Sequence, residues 1–490
     1  MAGEHGVVFP EVDGRRSTSA TGRAVVADAL RPVDPVGADA AARETSWRSG
    51  YGPHFRRLVE AGLPSYGAAR SIAEAGLASV HARMRWAPQD GEEQVLGAAM
   101  AGPLAEMSAG SAERVGTETV AGTGRPDTAL TVPYRGRRLA GDDLRRQLDT
   151  WVAAGVVEPS LREAVTAVLE NPDWLRLDGR TVVVLGAAAE MGPLRALLRW
   201  GATVAAVDLP RPDLWTRLLD DTRDLAGRLV VPVRPGPEDL PQRAGLDVLH
   251  DLPAASAWTS ALPGPLVLGN YVYADGSTNV RVSVAVDALT EAVRRQRSEV
   301  ALAFLATPTD VFAVPGAAVD AAVEAYAQRR TSKLLRVPLR TVSGGRLLRR
   351  NYLPGVDPGI NDSVVTQQGP NYLLAKRVQR WRATAARAEG AAVSFKVAPP
   401  TRTRSVVRNR ALAAAYSGAH RFGVEVFEPG TANTLMAALL VHDLVARPPA
   451  QDHPWQDEAF AAAHGGLWRC AYDPRSALGL AALLGAASAR

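Results

Sequence analysis

The stretch RTVVVLGAAAEMGPLRALLRWGATVAAVDLP, residues 180–210, decides the fold. Residues 181–185 are a short β-branched apolar run, the pattern of a strand buried on both faces. A turn of mostly small residues follows at once: Gly186, two alanines, Ala189, Glu190, Met191 and Gly192. Such a turn lets the backbone approach a pyrophosphate, whose charge can rest on the N-terminus of the next helix. That helix is expected over 193–200 and ends at Gly201, a residue suited to C′. Residues 202–207 read as a second strand, closed by Asp208 and Leu209. About 20 residues separate Gly186 from Asp208, the distance at which a dinucleotide site needs a carboxylate for its ribose hydroxyls.

Downstream the alternation continues. Helices are expected over 212–225, 254–262 and 279–296, and strands over 228–233, 246–250, 265–272 and 300–306. The fold class is therefore α/β, a Rossmann-type doubly wound parallel sheet preceded by a mainly helical region. Asp251 closes the 246–250 strand and is suited either to contact an adenine or to cap the next helix. Asn270 and Tyr271 close the 265–272 strand, and Asn279 reads as the N-cap of the helix behind it. Residues 315–362 interrupt the pattern with a helix over 317–329, a strand-like RVPLRTV and a turn-rich NYLPGVDPGIND. That is too long for an ordinary connection and reads as a lid or substrate wall.

Upstream, residues 1–45 mix Gly, Pro, Asp and Ser and read as a partly ordered arm. Residues 46–85 and 139–170 carry helical spacing, with a small-residue linker over 108–130 between them. The domain scheme is an arm at 1–45, a mainly helical region at 46–175, a dinucleotide-binding domain at 176–450 and a helical tail at 451–490.

Composition narrows the function. The chain has 490 residues, 47% hydrophobic and 22% charged, ordinary for a soluble globular protein. Its net charge is +5, and its arginines read as scattered among acids, which argues against a nucleic-acid footprint. The densest basic group, Arg346, Arg349 and Arg350, reads as a solvated loop face, with an anionic ligand as the alternative. The single cysteine, Cys470, excludes an internal disulfide, and no Cys/His cluster suggests a metal. His54, His250 and His420 stand alone and read as packing or surface. The N-terminus lacks a secretory pattern, and no apolar run reaches the ~18 residues of a membrane span. A cytoplasmic protein is expected, with no nucleic-acid partner and no membrane span, and with monomer or homo-oligomer left open.

A second constellation lies at 363–405. Tyr372 and Lys376 stand four apart at the head of a helix, on one face. An ammonium beside a phenol favours phenolate, which makes a tyrosine usable as a general acid or base. A strand over 391–397 follows, then Pro399, Pro400 and Thr401.

With these residues assembled, the chain resembles the short-chain dehydrogenase/reductase superfamily over roughly 178–445. The glycine turn, Asp208, Tyr372-x-x-x-Lys376 and the Pro-Pro-Thr segment occur in the family's order. The resemblance implies that Tyr372 passes a proton, and that Lys376 lowers its pKa and binds the nicotinamide ribose. It also implies that Thr307, where the family has a serine, polarises a carbonyl. It implies cofactor contacts from Gly186, Ala189, Glu190, Met191, Gly192, Asp208 and Leu209, and from Asp251, Asn270, Tyr271, Lys376, Pro399 and Thr401. The cofactor is expected to be NAD rather than NADP, since Asp208 would repel a 2′-phosphate although Arg211 lies close. The chain departs from the pattern at Glu190, where the family has glycine, and at Gly269-Asn270-Tyr271, where only the asparagine carries over. Ser363 is a second candidate for the missing serine. The leading expectation is an NAD(P)-dependent oxidoreductase acting on an alcohol or carbonyl of a small organic or biosynthetic intermediate. The alternatives are a lyase, isomerase or cyclase on the same fold, and a non-catalytic binding protein.

Overall fold

Thr181–Leu185 forms a strand buried over its whole length, at the centre of a seven-stranded sheet. The structure is a computed structural model that describes residues 4–102, 104, 115–328 and 337–486. In chain order the strands are β1 (Gly116–Ala121), β2 (Thr181–Leu185), β3 (Thr203–Val207), β4 (Arg228–Val233), β5 (Leu266–Asn270) and β6 (Val300–Ala306). Next come β7 (Val311–Val314) and β8 (Gly359–Asp362), which pair with each other, and then β9 (Val393–Val397). The order across the large sheet is β9-β6-β5-β2-β3-β4-β1. All its pairings are parallel except β1, which runs antiparallel along β4. From β2 the chain steps outward to β3 and β4, then returns past β2 to β5, β6 and β9. Ligands of open parallel sheets bind at such a reversal, beyond the carboxyl ends of the strands.

The helices used below are α1 (Thr18–Leu30), α2 (Pro35–Arg43), α3 (Trp47–Glu60), α4 (Tyr66–Arg83), α5 (Gly141–Ala153) and α6 (Pro159–Glu170). They continue with α7 (Leu194–Arg199), α8 (Pro212–Arg223), α9 (Leu252–Ala261), α10 (Gly276–Gln296) and α11 (Gly316–Gln328). The last are α12 (Gly369–Ala388), α13 (Arg410–Gly418), α14 (Pro429–Ala446) and α15 (Pro474–Gly485). Alternation along β2 sends Val183 and Leu185 to one face and Val182 and Val184 to the other. The first face is covered by α9, α10 and α12, with α1, α3 and α4 packed outside them in the same apolar core. There Gly76 of α4 lies so near Trp381 of α12 that a Cβ would come within 2.6 Å of the indole. The second face is covered by α5, α6, α7, α8 and α14.

Several expectations change. Residues 1–45, read as a partly ordered arm, hold a buried strand at Gly6–Val8 and helices α1 and α2. The linker expected over 108–130 contains β1; residues 105–114 lie outside the described residues. Its Gly-Thr-Glu-Thr-Val-Ala run is too polar to announce a strand, and pairing with β4 decides it. Residues 246–250 are a turn beside β3, not a strand, with Leu246 N donating to Asp208 O. The strand-like RVPLRTV is helical over 337–342. The interruption is instead anchored by the hairpin β7–β8, whose first strand follows directly on β6.

Glu158 ties the start of α6 to the chain near the C-terminus. It pairs with His464 at 2.9 Å and with Arg469 at 2.7 Å, and it is buried. Burial alone would raise its pKa, but His464 and Arg469 outweigh it and hold the carboxyl at about 2. A carboxylate depressed in this way stabilises the fold above its ordinary pKa, and the contribution is lost as pH falls from there toward 2. Glu158→Gln is therefore expected to cost up to about 3 kcal/mol at pH 7. Urea midpoints measured at pH 7 and at pH 3 should show the gap to wild type narrowing in acid. A gap independent of pH would refute the assignment.

Candidate active site

The strands bring their exits to one end of the sheet, and the tyrosine helix supplies the rest. α12 begins at Gly369, whose φ of +75° starts the helix sharply, so Tyr372 lies in its first turn. Thr307 follows β6 immediately. Its Oγ1 lies 2.6 Å from the Tyr372 hydroxyl, although the two are far apart in sequence. Thr309 Oγ1 lies 3.3 Å from Thr307. Tyr273, beyond β5, meets the Tyr372 ring edge-on at 6.5 Å and donates to Asp275 at 3.0 Å.

Lys376 does not behave as its spacing suggests. Its Nζ donates to Leu305 O at 3.2 Å and to Gln379 Oε1 at 3.3 Å, and no bond joins it to Tyr372. Gln379 in turn donates to the buried Asn270 at 3.3 Å, so lysine, glutamine and asparagine form a chain across β6 to the end of β5. In this geometry the ammonium makes no contact that would activate the phenol. Burial raises the Tyr372 pKa well above the usual value; the Thr307 bond opposes this, and nearby Asp310 adds to it. Burial likewise lowers Lys376, to about 8. Burial thus favours the neutral forms of both the phenol and the amine.

Beneath this pair lies a network with no sequence signature. Asp310, in the turn after β6, accepts from Arg377 and Arg380 of α12 at 3.0 Å each. The same guanidiniums donate to Val311 O at 3.2 and 2.9 Å, and Arg380 also pairs with Glu458. All three members of the Asp310 group are buried. Burial would raise the Asp310 pKa, but Arg377 and then Arg380 hold it below the usual carboxylate range. The network pins α12 to the turn that carries Thr307. Arg377 and Arg380 sit on a helix that the structure buries around most of its circumference, which their sequence spacing alone does not reveal.

The glycine turn is more occupied than expected. A Cβ on Gly186 (φ +85°) would stand 3.0 Å from the backbone of Tyr271 and Val272, so that glycine is needed for packing on the chain leaving β5. Ala189 N donates to Gly186 O, and Gly192 N to Ala189 O. Asp208 accepts from Ala188 N and Leu209 N at 2.8 Å each, which couples the end of β3 to the turn. It remains partly exposed there. Glu190 does not present a bare charge. Its two oxygens accept from the backbone N and Nε of Arg404, each at 2.8 Å, across the crevice. Met191 and Tyr271 turn toward Met436 and Leu440, where they line a very small cavity.

The remaining candidates are spread out. Asp251 precedes α9 without a side-chain cap bond; its carboxylate accepts from Asp247 N at 3.3 Å. Asn279 is not the cap of α10, which is Asp275; its side chain accepts from Ala274 N at 3.2 Å. Thr401 is buried and donates to Pro399 O at 2.8 Å, so its hydroxyl closes the turn after β9 instead of facing a ligand. The buried Ser363 donates its hydroxyl to Asn361 and not to Tyr372, and Arg211 pairs with Asp213. At the opposite end of the sheet, between the amino ends of β5, β6 and β9, lies a cleft of about 820 Å³. None of the sequence-predicted site residues lines it.

No protein-family model matches this chain, and no curated protein matches it significantly. Among the described residues no group of three or more His, Cys, Asp or Glu is placed to hold a metal ion, and no helix is long and apolar enough to cross a membrane.

Removing one partner of a buried ion pair strands the other charge, at a cost of about 3–5 kcal/mol. Asp310→Asn is expected to lower stability by that order. The double variant Asp310→Asn/Arg377→Met should recover part of the loss, since it removes the stranded guanidinium. Denaturation midpoints of the three proteins decide this. A double variant no more stable than the single would show that Arg377 is not the group left uncompensated.

Proposed function

We propose that this chain is an NAD(P)-dependent oxidoreductase of the short-chain dehydrogenase/reductase type, poised to reduce a carbonyl of a small organic intermediate. The observation that carries the reading is the 2.6 Å contact between Thr307 and Tyr372 at the carboxyl ends of the strands. The strand order supports it, because β4-β3-β2-β5-β6-β9 follows the 3-2-1-4-5-6 sequence of a Rossmann sheet. The residues fit a dinucleotide. Asp208, partly exposed at the end of β3, suits ribose hydroxyls and favours NAD over NADP, while Arg404 neutralises Glu190 beside the turn. Lys376, half-buried below the crevice, suits the second ribose. When bound, the nicotinamide supplies the hydride.

The chain's own part is to polarise and protonate. Thr307 orients the carbonyl oxygen, and Tyr372 donates the proton. Tyr372 is protonated at neutral pH, the form that reduction needs in a proton donor. The same neutral phenol, with the lysine out of reach, favours a second reading: acid catalysis without redox change, as in a lyase or isomerase. Turnover with no change in nicotinamide absorbance would select it.

Three measurements test the proposal. Calorimetry should show NAD(H) binding in the micromolar range, and no heat with either NAD(H) or NADP(H) would refute cofactor use. In a screen of aldehydes and ketones with NADH, Tyr372→Phe should lose about 10²–10⁴ in rate while keeping the fold; turnover near wild type would leave Tyr372 a packing residue. The Lys376 ammonium is protonated below about 8 and loses its proton above. Cofactor affinity should therefore decline as pH rises through about 8, and Lys376→Met should lack that limb.

A further inference from the structure

Charge is segregated on this chain, contrary to the even scatter its sequence suggested. Residues 337–350 contain Arg340, Arg346, Arg349 and Arg350 and no acid. Residues 402–421 contain Arg402, Arg404, Arg408, Arg410 and Arg421, again with no acid. With the whole chain at +5, removing these nine arginines leaves the remainder at −4. The fold gathers both segments into one layer with α15. Leu348 N donates to Ser476 O, Arg349 pairs with Asp473 at 3.1 Å, and Phe422 meets Tyr472 edge-on. α13 and α15 touch backbone to backbone: a Cβ on Gly418 would stand 2.0 Å from Ala481 O, and one on Gly485 2.0 Å from Ala414 O.

The outer surface of this layer is unusual in two ways. Arg404 is paired with Glu190 and Arg349 with Asp473, but Arg346, Arg402, Arg408 and Arg410 form no ion pair among the described residues. The same layer also carries bare apolar side chains. Of the eleven large apolar residues exposed among the described residues, seven lie in 337–356, at Val407 or at the end of α15. Val342 is 89% exposed, Leu483 71% and Val407 60%. α13 and α15 carry one charged residue each, Arg410 and Arg475, and no carboxylate. A surface helix ordinarily turns charged residues outward.

We propose that this layer is a peripheral docking surface for an anionic lipid bilayer. Unpaired arginines match a negative headgroup layer, and exposed valines and leucines beside them match its acyl boundary. A second copy of the chain is disfavoured, because a two-fold interface would set arginine against arginine. Nucleic acid would leave the apolar side chains in water. The apolar residues come from three separate segments, 337–356, Val407 and the end of α15, which a headgroup layer accepts without the shape complementarity a protein partner needs. The layer also borders the candidate site. Arg404 reaches the glycine turn, and Tyr416 of α13 lies within electrostatic range of Tyr372. Docking would place the mouth of the crevice at the membrane surface.

The test is co-sedimentation of the full chain with vesicles at low and high salt, one set of pure phosphatidylcholine and one containing a third of phosphatidylglycerol. The expected result is binding to the anionic vesicles alone, weakened by salt. Arg408→Gln/Arg410→Gln should reduce partitioning roughly tenfold or more, and Leu483→Ser/Leu484→Ser should reduce it with the arginines intact. Both pairs are on the surface, and circular dichroism checks their folds. No preference for anionic vesicles overturns the proposal, as does binding that neither variant changes. Capture by polyglutamate with no vesicle binding also overturns it, in favour of an acidic protein partner.

Discussion

Asp310 between Arg377 and Arg380 is the contact on which the candidate site depends. Two guanidiniums one turn apart on α12 reach the same carboxylate and the same carbonyl, Val311 O. A buried charge group of this kind is rarely worth much in net stability, because desolvation offsets attraction. What it supplies is position. An apolar helix face can slide on a sheet with little penalty, but α12 cannot shift by one turn without stranding Asp310. The hydroxyls of Thr307 and Tyr372 meet because that register is enforced.

The parallel sheet imposes the complementary constraint. Strands β2, β5 and β6 are buried on both faces, so their side chains are spent on the cores. Polar groups accumulate where the strands end: Asp208 after β3, Asn270 at the end of β5, Thr307 after β6. The reversal between β2 and β5 makes these ends neighbours. Much of the crevice is also closed by the chain itself. Glu190 spans to Arg404, and the backbone beyond β5 presses on Gly186. The Glu190 carboxylate in the turn is therefore already balanced by Arg404.

The layer formed by 337–356, 402–421 and α15 has a small apolar core of its own around Tyr326, Leu348 and Tyr472. It is joined to the sheet through the β7–β8 hairpin and the turn after β9. Its composition differs from that of the sheet domain: Arg346, Arg402, Arg408 and Arg410 form no ion pair among the described residues, and apolar side chains are left in solvent. Burying those side chains elsewhere would need a larger core than these short helices can build.

By itself the sequence determined the periodic parts of this protein. The apolar runs at 181–185, 202–207 and 300–306, bounded by turn residues and spaced by helical segments, read as buried strands, and the helical spacing around Tyr372 and Lys376 places both in the first turns of one helix. It also placed Thr307 and Asp208 at strand ends. Only the tertiary structure decided what those residues touch. The sequence spacing of Tyr372 and Lys376 suggested mutual contact, yet the lysine turns to Leu305 O and Gln379, because a half-buried ammonium goes to the nearest carbonyl acceptors. The strand at Gly116–Ala121 was invisible because its short polar run, set among glycines and small residues, lacks an apolar face, and pairing with β4 decides it. The pairings Glu190–Arg404, Thr307–Tyr372 and Asp310–Arg377 join residues far apart along the chain, and no local pattern encodes a contact whose partners are brought together only when the sheet closes.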